Sequence, residues 1–212
     1  MAGILHVCTA NLIRSPVAEV LTRTRLHGYP VGSAGLRAFD GGTIWPAAAV
    51  ELVRRGVPEW LLGPFRSRAF TPALGTRADI VLTATRRQRD AIMSDTPFLL
   101  GKVFTWRELA WLSTGLVPDD VPGTSVPERL CGLLTVVGTR RGYLIAPAGE
   151  SLDVVDPVDG PLAALLDAVD QIDDALAVVT RLVTVPEGAR SGYPGRPALG
   201  TASVGRAAPE AG

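Results

Sequence analysis

The run His6-Val7-Cys8-Thr9-Ala10-Asn11-Leu12-Ile13-Arg14-Ser15-Pro16 constrains this chain more than any other stretch. It opens as an apolar strand and closes as a helix start. The loop between them holds a cysteine and an arginine with five residues separating them. Such a loop can fold its backbone N–H groups around one small anion, because oriented amides and a helix N-terminus both favour negative charge. Cys8 then lies beneath the anion. Arg14 grips it from the side, its planar fork matching two oxygens at once. Asn11 is one of the few non-glycine residues that tolerate the left-handed backbone a tight loop needs.

The same arrangement activates the sulfur. A free thiol is mostly protonated near neutral pH, and helix N-termini and neighbouring cations favour the thiolate. The Ser15 hydroxyl adds a hydrogen-bond donor. A thiolate facing a bound phosphate is a nucleophile facing its electrophile. A plainer reading makes Cys8 a small buried residue at a strand end. It makes Ser15-Pro16 an N-cap followed by the first helical residue.

Beyond the loop the pattern alternates. Ile4 to Cys8 reads as a buried strand. Val17, Val20, Leu21 and Thr24 mark one face of a helix that runs from Pro16 to Gly28. Tyr29 to Ala34 reads as a second strand, and a glycine-rich loop leads to a helix from Pro46 to Arg54-Arg55. Thr71-Pro72 opens a short helical turn, and Asp79 to Ala84 is a third strand. Thr85 caps a basic helix, and Phe98 to Phe104 is a fourth strand candidate. Thr105 with Glu108, and Ser125 with Glu128, make capping-box patterns for two further helices. In the last helix Leu162, Leu165, Leu166, Val169, Ile172, Leu176 and Val179 form one stripe. Strands alternating with helices point to a parallel sheet covered on both faces, with ligands bound beyond the carboxyl ends of the strands. From Pro186 onward Gly, Pro, Ala, Ser and Arg dominate, and such a segment cannot bury enough apolar surface to offset its ordering. The expected organisation is one domain over residues 1–185 and a disordered tail over 186–212.

Composition narrows the function classes. The 212 residues carry no net charge, and no block of like charge asks for nucleic acid or an anionic membrane. Cys8 and Cys131 fit neither a disulfide framework nor a metal site. No apolar run reaches membrane-spanning length and no signal peptide is visible, so a soluble cytoplasmic protein is expected. Lys102 is the only lysine, which reads as the codon bias of a GC-rich bacterial genome. Cys131, beside Leu130, Leu133 and Leu134, reads as core. His6 and His27 show no catalytic partner, and Trp45, Trp60, Trp106 and Trp111 read as packing residues. Arg86, Arg87 and Arg89 read as a solvated helix face, with contact to an acidic substrate as the alternative.

Val7 to Pro16 resembles the phosphate loop of the low-molecular-weight protein-tyrosine phosphatases, and Asp156-Pro157 is similar to that family's general-acid motif. The likeness runs from about residue 3 to 184. It includes Gly32-Ser33-Ala34-Gly35, Ser67-Arg68, the strand Ala78 to Thr83 and the run Phe104 to Leu109. It implies a four-stranded parallel sheet in a three-layer α/β/α arrangement, the phosphotyrosine phosphatase I-like fold. It also implies that Cys8 attacks phosphorus while Thr9, Ala10, Asn11, Leu12, Ile13, Arg14 and Ser15 hold the phosphate. By charge alone Asp153, Asp156 or Asp159 could supply the leaving group's proton. Asp159 also reads as a cap of the last helix, and Asp153 as a solvated turn residue. The Asp-Pro pair in the likeness selects Asp156, as acid and then as base for water. No metal or cofactor is implied. The implied substrate is a phosphotyrosine protein, such as a bacterial tyrosine kinase.

The chain departs from the family's pattern in four places. Ala10 stands where glycine is frequent, which requires negative φ there. Val158 and Asp159 replace aromatic residues that line the phosphotyrosine slot, and a carboxylate at 159 repels acidic peptides. Phe39 is the candidate for the opposite aromatic wall, or else a surface-loop anchor. The tail after residue 185 is a third departure, and Ile13, in place of a second cysteine, the fourth. Two rival readings remain at this point. A thiol-coupled arsenate reductase needs further cysteines, and only Cys131 is available. The other rival is a module that binds phosphotyrosine without turning it over. Without a cysteine at position 13, oxidised Cys8 lacks a local disulfide partner and proceeds to irreversible products. Peroxide-treated protein should therefore regain little activity in thiol reductant; rapid and full recovery contradicts this.

Overall fold

The first strand, β1 (Ile4–Cys8), buries all of its residues, as a strand must when helices cover both sheet faces. The computed structural model describes residues 3–145, 147 and 152–184, and the expected tail over 186–212 lies outside them. After β1 come α1 (Arg14–Arg25), β2 (Val31–Gly35), α2 (Pro46–Arg54), α3 (Pro72–Arg77) and β3 (Ile80–Thr83). Then follow α4 (Arg86–Asp95), β4 (Val103–Thr105), α5 (Trp106–Leu112), α6 (Val126–Tyr143) and α7 (Leu162–Val183). The four strands are parallel in the order β2-β1-β3-β4.

Alternation along the strands assigns the layers. Ile4, Cys8, Ile80, Leu82 and Phe104 pack in one apolar cluster with the inner faces of α1, α2, α5, α6 and α7. Leu5, Val7, Ala34, Val81 and Val103 pack in a second cluster with Ile92 of α4 and Leu99. This is the expected three-layer α/β/α fold. Thr105 and Glu108 form the expected capping box on α5, and Thr85 with Gln88 forms one on α4. At α6, Ser125 caps the Glu128 amide while the Glu128 carboxylate reaches Thr124 instead.

Several expectations are corrected. The stretch from Phe98 pairs only over β4; Pro97–Lys102 is a 3-10 turn. Pro97 has no ladder N–H to offer, and Phe98 and Leu100 face solvent. Helix α1 begins at Arg14, so Ser15 lies inside it rather than capping it. Cys131 is exposed, because the buried stripe of α6 runs through Leu130, Leu133 and Val137. Trp106 is core and Trp111 packs against it, but Trp45 and Trp60 are exposed.

His6 has partners that its sequence context hid. It is fully buried, and Trp106 Nε1–H donates to its Nδ1 at 2.9 Å. With Nδ1 accepting, Nε2 carries the proton and donates to Thr22 Oγ1 at 3.0 Å. Burial first, and then the charge of Arg23, lowers its pKa from 6.5 to about 3. As pH falls below about 6.5 the unfolded chain takes up a proton that folded His6 refuses, so stability declines until about pH 3. His6→Gln, which keeps an acceptor for Trp106, should lower the Tm at neutral pH. It should also flatten the decline of Tm on acidification, and equal slopes in the two proteins would refute the assignment.

Candidate active site

Strand β1 lies between β2 and β3, so the chain leaves it in one direction and later returns on its other side. Ligands of open parallel sheets bind at such a reversal, beyond the carboxyl ends of the strands. Cys8 is the last residue of β1. The loop after it turns its carbonyls outward. Leu36 N–H donates to Cys8 O at 2.9 Å, Arg37 N–H to Thr9 O at 2.8 Å, and Trp45 N–H to Leu12 O at 2.8 Å. No side chain caps α1, in contrast to α4 and α5. Its first-turn amides are therefore left for an anion.

The Cys8 sulfur sits inside this loop. Sγ accepts from the Asn11 amide at 3.3 Å and lies 3.0 Å from Ser15 Oγ. Asn11 has φ 56°, the left-handed conformation expected of it. Its side chain is the hub of the loop. The amide nitrogen donates to Ser15 Oγ at 2.9 Å and to Ser33 Oγ at 2.7 Å, and the oxygen accepts from Arg68 N–H at 2.9 Å. The Ser33 hydroxyl in turn donates to Glu19 Oε2 at 2.6 Å. Ser15 thus receives a hydrogen bond from Asn11 and keeps its proton for Sγ or, at 3.3 Å, for Ala34 O. Burial raises the pKa of Glu19, against the pull of Ser33, Arg23 and Arg68. Ala10 avoids positive φ, because Asn11 and Asp159 are the only non-glycine residues with positive φ among those described. Gly35 has no room for a side chain: a Cβ would stand 2.6 Å from Thr9 O and 2.8 Å from Asn11 N.

Arg14 is buried in the first turn of α1, and its Nη2 meets Asp156 Oδ2 at 2.8 Å. The other Asp156 oxygen accepts from Val158 N–H at 3.3 Å. Thus residues 142 apart in the chain meet across the mouth of the loop. Asp153 anchors this arm and is not a solvated turn residue. Its Oδ1 accepts from the Arg86 amide at 2.7 Å, and its carbonyl accepts from Arg107 at 3.3 Å. Val154 N–H donates to Ala84 O at 2.8 Å, and Gln171 accepts from Val155 N–H at 3.1 Å. Asp159 does not cap α7; it has φ 62°, and Pro161 precedes the helix.

A cleft of about 990 Å³ opens at this end of the sheet, with Thr9, Arg14 and Asp156 on its walls. Cys8 and Ser15 lie off those walls, as do Phe39, Val158 and Asp159, the expected substrate-lining residues. Phe39 is 89 % exposed. Two lining residues escaped the sequence reading. Arg107 holds the acid arm, and Gln88 Nε2 donates to Thr9 Oγ1 at 3.0 Å. The Thr85-to-Gln88 spacing signals the helix cap, but nothing local signals the reach of Gln88 to a loop 79 residues away. Among the described residues no group of His, Cys, Asp and Glu is arranged to hold a metal ion.

Residues 3–115 match the family model described as low molecular weight phosphotyrosine protein phosphatase. The chain is 35% identical over 106 residues to a protein of Ralstonia nicotianae described as a probable low molecular weight protein-tyrosine-phosphatase, EpsP, covering 50% of this chain and 71% of that one. Its fold is similar to that of the YwlE arginine phosphatase from Geobacillus stearothermophilus, with TM-score 0.60 and 24% identity over 85% of this chain and 91% of that one. It is similar also to the tyrosine phosphatase Wzb from Escherichia coli K30 in complex with sulphate, with TM-score 0.60 and 21% identity over 84% of this chain and 95% of that one. The sequence match and the sheet built around the Cys8 loop lead to one assignment: the chain belongs to the low molecular weight phosphotyrosine protein phosphatase family.

Proposed function

We propose that this protein hydrolyses phosphotyrosine in proteins through a cysteinyl-phosphate intermediate. The observation that carries the reading is the convergence of Cys8 Sγ, Ser15 Oγ and the Asn11 amide beneath an Arg14–Asp156 pair. An arriving phosphate competes with Asp156 for the Arg14 guanidinium. Cys8 thiolate attacks phosphorus, and the bond from phosphorus to the phenolic oxygen breaks. Asp156 gives its proton to the departing phenolate. Water then attacks the phosphorus and gives a proton back to Asp156. The S–P bond breaks, releasing phosphate and restoring the thiolate. Charge that develops on the equatorial oxygens is met by preoriented amides and by Arg14. Leu12 and Ile13, half-buried in the loop, offer aliphatic surface to an aromatic ring.

The substrate class fits a cytoplasmic phosphotyrosine protein such as a bacterial tyrosine kinase. We assign the activity to residues 1–185 and none of it to residues 186–212. Phosphoarginine is the second reading. The Asp156 carboxylate is already paired with a guanidinium, that of Arg14, and carboxylates suit a guanidinium leaving group.

Hydrolysis of an aryl phosphate should proceed in the presence of a metal chelator and vanish in Cys8→Ser. Ser15→Ala should lower kcat about tenfold, the worth of one charge-assisted hydrogen bond. Asp156→Ala should lower it roughly 10²- to 10⁴-fold, most with poor leaving groups. Faster release of phosphate from phosphoarginine than from phosphotyrosine peptides would shift the assignment to the second reading. Arsenate-dependent thiol oxidation without phosphate release would remove both.

A further inference from the structure

The cleft does not end at the phosphate loop. It continues along α4, whose Arg87, Gln88, Ala91, Ile92 and Asp95 form one stripe facing it. At 1.5 Å per residue that stripe runs roughly 12 Å, the length of about three or four residues of extended chain. Arg37 also lines the cleft. A groove of this length, leading away from the loop, matches the residues that flank a phosphorylated side chain in a peptide.

The charges along it divide into those already engaged and those left over. Arg14 holds Asp156, and Arg107 holds the Asp153 carbonyl. Beside the groove, Arg86 is paired with Asp153 and Arg89 with Asp90 and Glu108. The guanidinium groups of Arg37 and Arg87 have no ion pair or hydrogen bond among the described residues, although both line the cleft. Two contacts hold their backbones near the loop. The Arg37 amide donates to Thr9 O, and Gln88, next to Arg87, donates to Thr9 Oγ1. Arg37 and Gln88 thus both touch Thr9, the residue that follows the nucleophile, and Arg87 precedes Gln88 on α4. Asp95 lies at the far end of the stripe, and Asp159 does not line the groove.

We propose that Arg37 and Arg87 form an anion subsite beside the phosphate loop. It takes an aspartate, a glutamate or a second phosphorylated side chain roughly one to three residues from the scissile phosphate, at about 3.3 Å per extended residue. The proposal rests on the phosphatase reading and names its substrate class: a phosphorylated segment with neighbouring negative charge. Arg87 is thus taken out of the solvated helix face and made a recognition residue. Asp95 disfavours further acid at the distal end of the same segment.

The test uses two phosphotyrosine peptides that differ only in having acidic or amide residues beside the tyrosine, together with a small aryl phosphate. The full chain should favour the acidic peptide in kcat/KM by roughly three- to tenfold, the range expected of exposed ion pairs. Added salt should shrink the preference. Combined Arg37→Ala and Arg87→Ala should abolish it while aryl phosphate turnover stays within about twofold of the original. Binding of both peptides to Cys8→Ser gives a readout that needs no turnover. Absence of aryl phosphate hydrolysis would thus defeat the phosphatase reading while the binding ratio still decides the subsite. No preference, a preference that survives the double substitution, or a parallel loss of aryl phosphate turnover overturns the subsite.

Discussion

A loop can aim its amides inward only when its carbonyls find partners elsewhere, since an unpaired buried backbone group is costly. Here the partners are the amides of Leu36, Arg37 and Trp45, which approach from outside the loop. The anion pocket is therefore as much a product of the residues after β2 and before α2 as of the loop itself. Gly35 permits that approach because a side chain there would strike Thr9 O and Asn11 N. Asn11 completes the frame, holding Ser15, Ser33 and the Arg68 amide with one side chain. Its left-handed backbone costs about 1–2 kcal/mol in an ordinary residue, and three hydrogen bonds offset it.

The division of labour between polar and apolar groups follows the same frame. Cys8 belongs to the larger apolar cluster by its position on β1, yet its sulfur meets a hydroxyl and an amide at the strand end. Two residues earlier on the same sheet face, His6 is held neutral by burial and spent wholly on Trp106 and Thr22. Two polar residues two positions apart on one strand thus have opposite fates. The difference is that the strand ends after Cys8, where helix α1 turns an open N-terminus toward it.

Much of this was legible in the residues. Short-range chemistry carried the phosphate loop, the strand-helix alternation and the caps at Thr85 and Thr105. Asn11 at the left-handed position and the negative φ required at Ala10 also follow from local rules. What escaped depends on distance in the chain. Asp153 looks like a turn residue until α4 is set beside it, and Gln88 looks like a cap until Thr9 is. Cys131 reads as core from its leucine neighbours, but Leu130 and Leu133 define a stripe that does not include it. The stretch from Phe98 reads as a strand because apolar residues after a proline resemble one whether or not a ladder is available. Phe39 follows from its place in the loop after Gly35, but nothing local gives the direction of its ring, which is exposed.

The sulfur pocket is assembled by residues 8–15 with neighbours at 33–37 and 68, all early in the chain. Asp156 arrives from far downstream and is suspended from Ala84, Arg86, Arg107 and Gln171. Units that are tethered separately can open separately. On the proposed mechanism, a partial unfolding that breaks the Arg14–Asp156 pair and releases the late segment would leave the loop able to hold an anion without the carboxyl group that turns it over.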